Sequence, residues 1–537
     1  MQPLPTATMP GDSPTVAGLL RHQSRARSDH PLLVCDDDRI SYADADRRSA
    51  ELARGLIVLG AGKGTHVGLL YPNGTEFVVG MLAAARIGAV VIPFSTFVTA
   101  REMREQLVDS DAEILLSAAS FRSHDYVHRL AQAVSDPDFD SDRRLFATAT
   151  PQLRQVGISH SPDRIRDIGR LYQLAENIEP TLLSAMEDDV DGSDPLAIVY
   201  TSGTTSTPKG VVHTHAALLG HQQNLNDIRG LTANDKLFCN SPFFWIGGFA
   251  FGLLATLVAG STLVCSNASS DVGRAGLTLD LLEAEKPTMT NGFVAGIAHL
   301  ANHPSFAGRD VSSMRRGNLY PIMAPSTRPA DPELRHNMLG MTEGGSVVLI
   351  SDDESDQPEQ RRGSFGKPAP GFETKIVDPD SDLDSEGVGE LCIRGPFVMQ
   401  GYYKRSREEC FDADGWFHTG DLVRADVDGF MYFVGRLSAM IKTAGANVSA
   451  AEVEQAIAKV TGAEAHVVGI PDAGRGELVG AVIVQPGLDE AALRERLKDE
   501  LSAYKIPRRL IAVPPSEIPL LSSGKVDTQQ LKKLFDA

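Results

Sequence analysis

The chain has 537 residues, 42% of them apolar and 23% charged, and a formal net charge of −19. That length calls for one large domain with a smaller one beside it, and that composition for a globular fold. The acidic balance excludes a general binder of nucleic acid or of anionic membranes, while leaving room for a local basic pocket around a nucleotide.

In chain order, the first fifteen residues, MQPLPTATMPGDSPT, carry neither the basic start nor the apolar centre of a secretory signal. Residues 16–60 read as a helix, a strand hairpin around DDDRISY and a second helix. THVGLLYPNG follows as strand and turn, EFVVGMLAAARIG as a helix and AVVIPF as a short buried strand. Strand–helix–strand repetition of this kind predicts a parallel sheet with crossover helices. From about 135 to 194 the pattern weakens into Asp-, Ser-, Arg- and Pro-rich sequence, read as an irregular excursion without a function. PLAIVY (195–200) predicts a strand, TSGTTSTPKG (201–210) a hydroxyl-rich loop, and AALLGHQQNL, after VVHTH, a helix. The most apolar stretch, 243–264, is interrupted by glycines and Ser261 and reads as buried core instead of a membrane span. Segment 361–405 is a series of Gly-punctuated short strands. In the last hundred residues, Ser449 and Glu452 have capping-box spacing ahead of AAEVEQAIAKV, followed by strands HVVGIPD and LVGAVIVQP and the helix DEAALRERLKDELS. Cys35, Cys239, Cys265, Cys392 and Cys410 have no CxxC or metal-ligand spacing and read as buried small apolar residues. A cytoplasmic protein without an integral membrane segment is expected.

The loop at 201–210 holds six hydroxyls, two glycines and Lys209. Backbone N–H groups of such a loop form an anion-binding concavity, and a cation adds charge-assisted bonds to phosphate oxygens. It is not the GxxxxGK[ST] pattern, because Lys209 follows a proline and does not open a helix. GMTE (340–343), HTGD (418–421), Gly435–Arg436 and SGK (523–525) come after it in that order. The set resembles the signatures of the adenylate-forming superfamily, which includes acyl-CoA synthetases, luciferases and peptide-synthetase adenylation domains. The resemblance runs from about residue 30 to 530. It implies an α/β fold: a large N-terminal domain, residues 1–436, of sandwiched α/β subdomains plus a β-subdomain, and a small mobile α/β C-terminal domain, residues 437–537.

The resemblance also implies roles. Thr201, Ser202, Gly203, Thr204, Thr205 and Lys209 would hold the phosphates of ATP, and Thr205 and Glu343 a Mg²⁺ ion, a hard cation that takes oxygen ligands. Thr342 would lie near the α-phosphate. Asp421 would accept from the ribose hydroxyls, and Arg436 would contact ribose and phosphate. Lys525 would catalyse adenylation and Ser438 act as hinge. Lys442, Gly445 and Asn447 would serve thioester formation. Phe244, Trp245, Gly247, Gly248, Asn291 and Gly292 would line the acyl pocket, with Trp245 where many members have a histidine. Three departures stand out: Ser206 for a glycine, Leu339 for the aromatic that stacks on adenine, and Ile322, Met323 and Ala324 for a Gly-Gly-Ala turn.

Residues 241–252, SPFFWIGGFAFG, contain no acid to pair an α-ammonium, and an unpaired buried charge is costly. An apolar substrate tail is therefore expected, and Gly247, Gly248, Gly292 and Gly296 suggest room for a long or bulky one. The implied activity is that of an ATP-dependent acyl-CoA synthetase acting on a hydrophobic acid such as a fatty, alicyclic or steroid side-chain acid. The acid attacks the α-phosphorus of ATP, pyrophosphate leaves, and coenzyme A then takes the acyl group and releases AMP. Coenzyme A is expected as acceptor because the chain ends twelve residues after Lys525 with no carrier domain. Two other readings are an acyl-AMP ligase that loads a separate carrier protein and a nucleotide-binding homologue that has lost catalysis. The expected partners are small molecules and not nucleic acid, with a homodimer left open.

Overall fold

Short runs of β-branched and aliphatic residues alternate with helices through the first half of the chain, and they build two sheets. The computed structural model describes residues 14–536 except 137–138, 140, 142, 161–165, 202–208, 270, 380–384, 386, 444–445, 473–475, 499, 502–504 and 522–524. By internal contacts the chain forms two compact units. One comprises 1–362, 366–372 and 395–410, the other 363–365, 373–394 and 411–537. The expected boundary at 436 falls inside the second of these.

In the first unit, a seven-stranded sheet runs in the order Gly401–Tyr402, Lys209–Thr214, Pro195–Thr201, Val90–Pro93, His66–Leu70, Ile114–Ala118, Gln155–Ser159. Its last five strands are parallel. Val67, Leu69, Val91, Ile92, Leu115 and Leu116 are all buried, as expected of parallel strands covered on both faces. The helix Thr75–Arg86 lies between two of them and buries every residue but Glu76. A six-stranded sheet runs Arg316–Gly317, Met289–Asn291, Lys236–Cys239, Thr262–Cys265, Pro31–Cys35, Asp38–Ser41. The hairpin and helices expected over 16–60 are present as Val16–Ala26, Pro31–Cys35, Asp38–Ser41 and Tyr42–Val58. All five cysteines are buried and none is in a disulfide.

Two stretches differ from the reading of the sequence. The hydroxyl-rich loop does not lead directly into a helix: VVHT returns as a strand antiparallel to Pro195–Thr201, with Lys209 opposite Thr201. The β-branched pair Val211 and Val212 favours that extended form. The excursion at 135–194 is also more ordered than expected, contributing the edge strand Gln155–Ser159 and the helix Pro180–Asp189. Glu187 on that helix is buried and accepts from Arg86 Nε at 2.5 Å, an ion pair hidden in a segment read as irregular.

The second unit contains a four-stranded antiparallel sheet, Glu373–Val377, Gly389–Arg394, Phe417–Ala425, Met431–Arg436. A five-stranded sheet of Ala446–Ser449, Met440–Thr443, Gly476–Ile483, Ala465–Asp472 and Arg509–Ala512 packs on the helix Ala450–Thr461. Ser449 caps that helix by accepting from the Glu452 N–H at 3.4 Å. The carboxylate of Glu452 takes the ammonium of Lys505 at 2.6 Å.

In the first unit, the helix His215–Arg229 and the strand before it fix the turn that carries GMTE. His213 Nε2 donates to the Thr342 carbonyl at 2.7 Å, His221 Nε2 to the Val347 carbonyl at 2.9 Å, and Gln222 Nε2 to the Gly345 carbonyl at 3.2 Å. Both histidines are buried, and desolvation lowers each to a pKa of about 4. The unfolded chain, with imidazoles near 6.5, takes up protons first as pH falls. The neutral rings' contribution is therefore whole above about pH 6.5 and lost down to about pH 4, roughly 3 kcal/mol for each ring. The midpoint of urea denaturation should drop across that window and drop less in His221→Gln; a midpoint flat from pH 7 to pH 4 in the wild type would refute the assignment.

Candidate active site

Ser202, Gly203, Thr204 and Thr205, with Ser206, lie outside the described residues. Thr201 and Lys209 stand at the two ends of that loop, held opposite each other by strand pairing. The next strand places Tyr402 beside Val211. Lys209 Nζ lies 4.9 Å from the centroid of the Tyr402 ring, a cation–π contact. The Tyr402 hydroxyl donates to Glu343 Oε1 at 2.7 Å. Burial first, and then the charge of Glu343, raise the Tyr402 pKa above its ordinary value, so the phenol remains a donor. Glu343 is further fixed through its backbone carbonyl, which accepts from Met399 N–H at 2.8 Å. A carboxylate with one oxygen oriented by an outer hydrogen bond and the other available suits a hard divalent cation, so Glu343 fits the expected Mg²⁺. Thr342 precedes it in the same turn, and Leu339 begins the strand Leu339–Met341 that leads into Thr342. Tyr402 and His213 were not among the residues singled out from the sequence. The only signal for Tyr402 was an aromatic hydroxyl in the Gly-punctuated QGYY.

The second unit holds Asp421 and Arg436, the residues expected to meet a ribose. Asp421 is 1% exposed and pairs with Arg436 Nε at 2.5 Å across neighbouring strands. The strand register shifts beside it. In that irregular stretch Glu390 Oε1 accepts from the Gly420 N–H at 2.8 Å, while Glu390 Oε2 meets His418 Nδ1 at 2.9 Å. Those two residues clasp the turn that presents Asp421. Lys525 belongs to the same unit, and its backbone carbonyl accepts from the Leu521 N–H at 2.7 Å. Its ammonium keeps contact with solvent, yet partial desolvation and then Arg436 lower its pKa below the ordinary lysine value. Ser438 lies in the single turn Leu437–Ala439 between two strands. Lys442 and Asn447 face each other across the hairpin of Met440–Thr443 with Ala446–Ser449, and Gly445 lies outside the described residues.

Of the proposed acyl-pocket residues, Phe244 and Trp245 precede a helical run, Ile246–Ala259, whose middle six residues are π-helical. A π-segment inside a helix is often found beside a functional site. Trp245 packs edge-on against Phe244 at 5.3 Å and Phe293 at 5.4 Å. The glycines need correction. A Cβ on Gly248 would stand 2.1 Å from the Pro242 carbonyl oxygen, and one on Gly292, at φ +144°, only 1.7 Å from Asn240 Oδ1. Those two glycines permit close packing and do not open a chamber; Gly247 has ordinary clearance. Asn291 ends the strand Met289–Asn291 and is buried. Ile322, Met323 and Ala324 are buried too, the first two in a core cluster with Leu279 and Met314. A glycine of close approach does occur nearby at Gly317, φ +110°, where a Cβ would meet the Thr290 carbonyl oxygen.

These groups suit an enzyme that handles a nucleotide. The chain belongs to the AMP-binding enzyme family, which it matches over residues 20–403, and 452–525 match the family's C-terminal domain. It is thus an adenylate-forming enzyme. A relative from Mycobacterium tuberculosis (strain ATCC 25618 / H37Rv), named as the CoA ligase of a 7a-methyl-1,5-dioxo-octahydroindenyl propanoyl group, is 30% identical, covering 98% of this chain and 100% of the relative. Among solved structures, the anthranilate CoA ligase AuaEII in complex with anthranoyl-AMP superposes with a TM-score of 0.79 at 22% identity, covering 99% of this chain and 98% of that one. The o-succinylbenzoate CoA synthetase of Bacillus subtilis, solved with ATP and magnesium, gives 0.76 at 25% identity, covering 96% and 99%. Among the described residues, no helix is long and apolar enough to cross a membrane.

If the Tyr402 hydroxyl orients Glu343, Tyr402→Phe should raise the Mg²⁺ concentration needed for half-maximal AMP formation by about tenfold, the usual cost of losing an outer-shell partner. A Mg²⁺ titration reads this, and an unshifted curve would reduce Tyr402 to packing.

Proposed function

We propose that the protein is an ATP-dependent acyl-CoA synthetase that activates a hydrophobic carboxylic acid as its acyl-adenylate and passes the acyl group to coenzyme A. The observation that carries this reading is the line of Lys209, Tyr402 and Glu343 at the base of the hydroxyl-rich loop, a cation and an oriented carboxylate fixed where that loop rejoins the sheet. The relatives named above, CoA ligases and synthetases, support it.

Two anions, a carboxylate and ATP, must meet, so the protein's work is positioning and neutralising charge. Lys209 and the loop residues Thr201, Ser202, Gly203, Thr204 and Thr205 donate to the phosphates. Mg²⁺, held by Glu343 and Thr205, supplies neutralisation of the departing pyrophosphate when bound. Asp421 and Arg436 hold the ribose, Thr342 stands at the α-phosphate, and Leu339 gives adenine an aliphatic face. Lys525 places its charge between the attacking carboxylate and the α-phosphorus. For the second half-reaction the C-terminal domain, residues 437–537, turns at Ser438, and Lys442 with Gly445 and Asn447 serve attack by the thiol. Phe244 and Trp245, with Gly247, Gly248, Asn291 and Gly292 behind them, wall the acyl site.

Lys525→Ala should lower carboxylate-dependent ATP–pyrophosphate exchange by at least about a hundredfold, in the range of a lost electrostatic donor, while thioester formation from supplied acyl-AMP survives. Lys442→Ala should do the reverse. Equal damage to both half-reactions by either variant would refute the two-step assignment. Because the cationic form of Lys525 is the working one and its pKa is lowered, adenylation should decline as pH rises, with an inflection below the ordinary lysine value. Lys525→Arg should remove that alkaline limb; a limb that persists belongs to another group.

A further inference from the structure

Arg229, the last residue of the helix His215–Arg229, is 8% exposed, and among the described residues no carboxylate lies within ion-pair distance of it. Its guanidinium stacks on Phe251 at 3.9 Å, in the π-helical segment. One nitrogen, Nη2, makes both of its protein hydrogen bonds, to Asn226 Oδ1 at 2.9 Å and to the Phe251 carbonyl at 3.1 Å. Among the described residues, Nε is buried without a partner and Nη1 makes no hydrogen bond. A guanidinium has five N–H donors, and one serving only as a structural tie would spend more of them. Desolvation lowers its pKa to about 9, the mark of a cation kept without compensation.

Arg229 lines a cavity of about 70 Å³, room for several water-sized groups, which it shares with Phe251, Thr290, Asn291, Asn318 and Tyr320. Asn291 is assigned to the acyl site, and Phe251 lies in the helical run that follows Phe244 and Trp245, so the cavity shares one residue and one element with that site. The two acids on its wall are engaged elsewhere. Glu354 takes Arg316 at 3.3 Å, and Asp353 takes Ser355 and Gln357.

We propose that Arg229 forms a polar-tail subsite: the acid activated by this enzyme carries, at the end away from its reacting carboxylate, an oxygen acceptor that takes the unused guanidinium N–H groups. A ketone or a second carboxylate meets that description. An ammonium does not, because it would meet a like charge. The inference rests on the acyl-CoA synthetase reading and narrows its substrate class. It also revises the wholly apolar tail expected from residues 241–252, since the cation lies outside that stretch.

The test compares AMP release, as kcat/KM, across acids of matched length: a plain alkyl acid, its keto analogue near the far end, the dicarboxylic acid and the ω-amino acid. The wild type should favour the keto acid or the dicarboxylic acid over the alkyl acid by at least about tenfold, because a site built to hydrogen-bond an oxygen rejects the analogue that lacks it. Arg229→Met should bring that ratio to about one. Arg229→Lys, which keeps the charge if the Met variant is unstable, should retain preference for the dicarboxylic acid more than for the keto acid when the tail is anionic, and lose both when the fork geometry is what matters. A wild-type preference for the alkyl or amino acid, or a ratio untouched by both variants, overturns the inference and leaves acyl-CoA synthesis standing. AMP release from no acid in the panel overturns the synthetase reading itself.

Discussion

The hydrogen bond from Tyr402 to Glu343 is the constraint on which the first unit's site depends. It ties the two-residue strand Gly401–Tyr402 to the turn carrying GMTE, while the same ring faces Lys209 at the exit of the hydroxyl-rich loop. Glu343 and Lys209 are of opposite charge and would pair directly if nothing stood between them. A phenol placed there holds the carboxylate by one oxygen and screens the ammonium with its face. Neither charge is used up, and both remain for ligands that carry charge themselves. His213, His221 and Gln222 then lock the turn from the helix side, so the geometry does not rest on a single contact.

The second unit solves a related problem. Asp421 is buried next to Arg436, and a buried carboxylate costs several kcal/mol unless it is paired and hydrogen-bonded. Glu390 and His418 hold the turn before it through the Gly420 N–H, which is why the irregular strand register persists there. Lys525, two motifs later in the chain, feels the charge of Arg436, so Asp421, Arg436 and Lys525 form one electrostatic group.

Much of this was legible in the sequence because short motifs with a definite order name their own chemistry. GMTE, HTGD and SGK led to the proposal of Glu343, Asp421 and Lys525 as site residues, and the alternation of apolar runs with helical periods predicted the parallel sheet. What stayed hidden shares one physical cause: it depends on neighbours distant in sequence. Glu187 fell in a stretch read as an irregular excursion, and only the position of Arg86, about a hundred residues earlier, makes it core. Tyr402 gained meaning from Glu343, 59 residues away. Gly248 and Gly292 looked like space because glycine has no side chain, but the missing atoms are replaced by the Pro242 carbonyl and the Asn240 amide. Local pattern reports what a residue lacks, and not what fills the gap.

Arg229 shows the same limit from the side of charge. The absence of an acid in residues 241–252 was sound reason to exclude an ammonium on the substrate, yet it said nothing about a cation arriving from the end of another helix. Position alone would suggest a helix-terminal arginine turned to water, where it favours the carbonyl end of the dipole. Instead Gly230, at φ +63°, ends the helix beneath it, and the guanidinium lies flat on Phe251 with a cavity beside it. A charge buried without a counterion is a standing cost that folding alone gives no reason to bear. The arrangement makes physical sense when the counter-group arrives with the substrate.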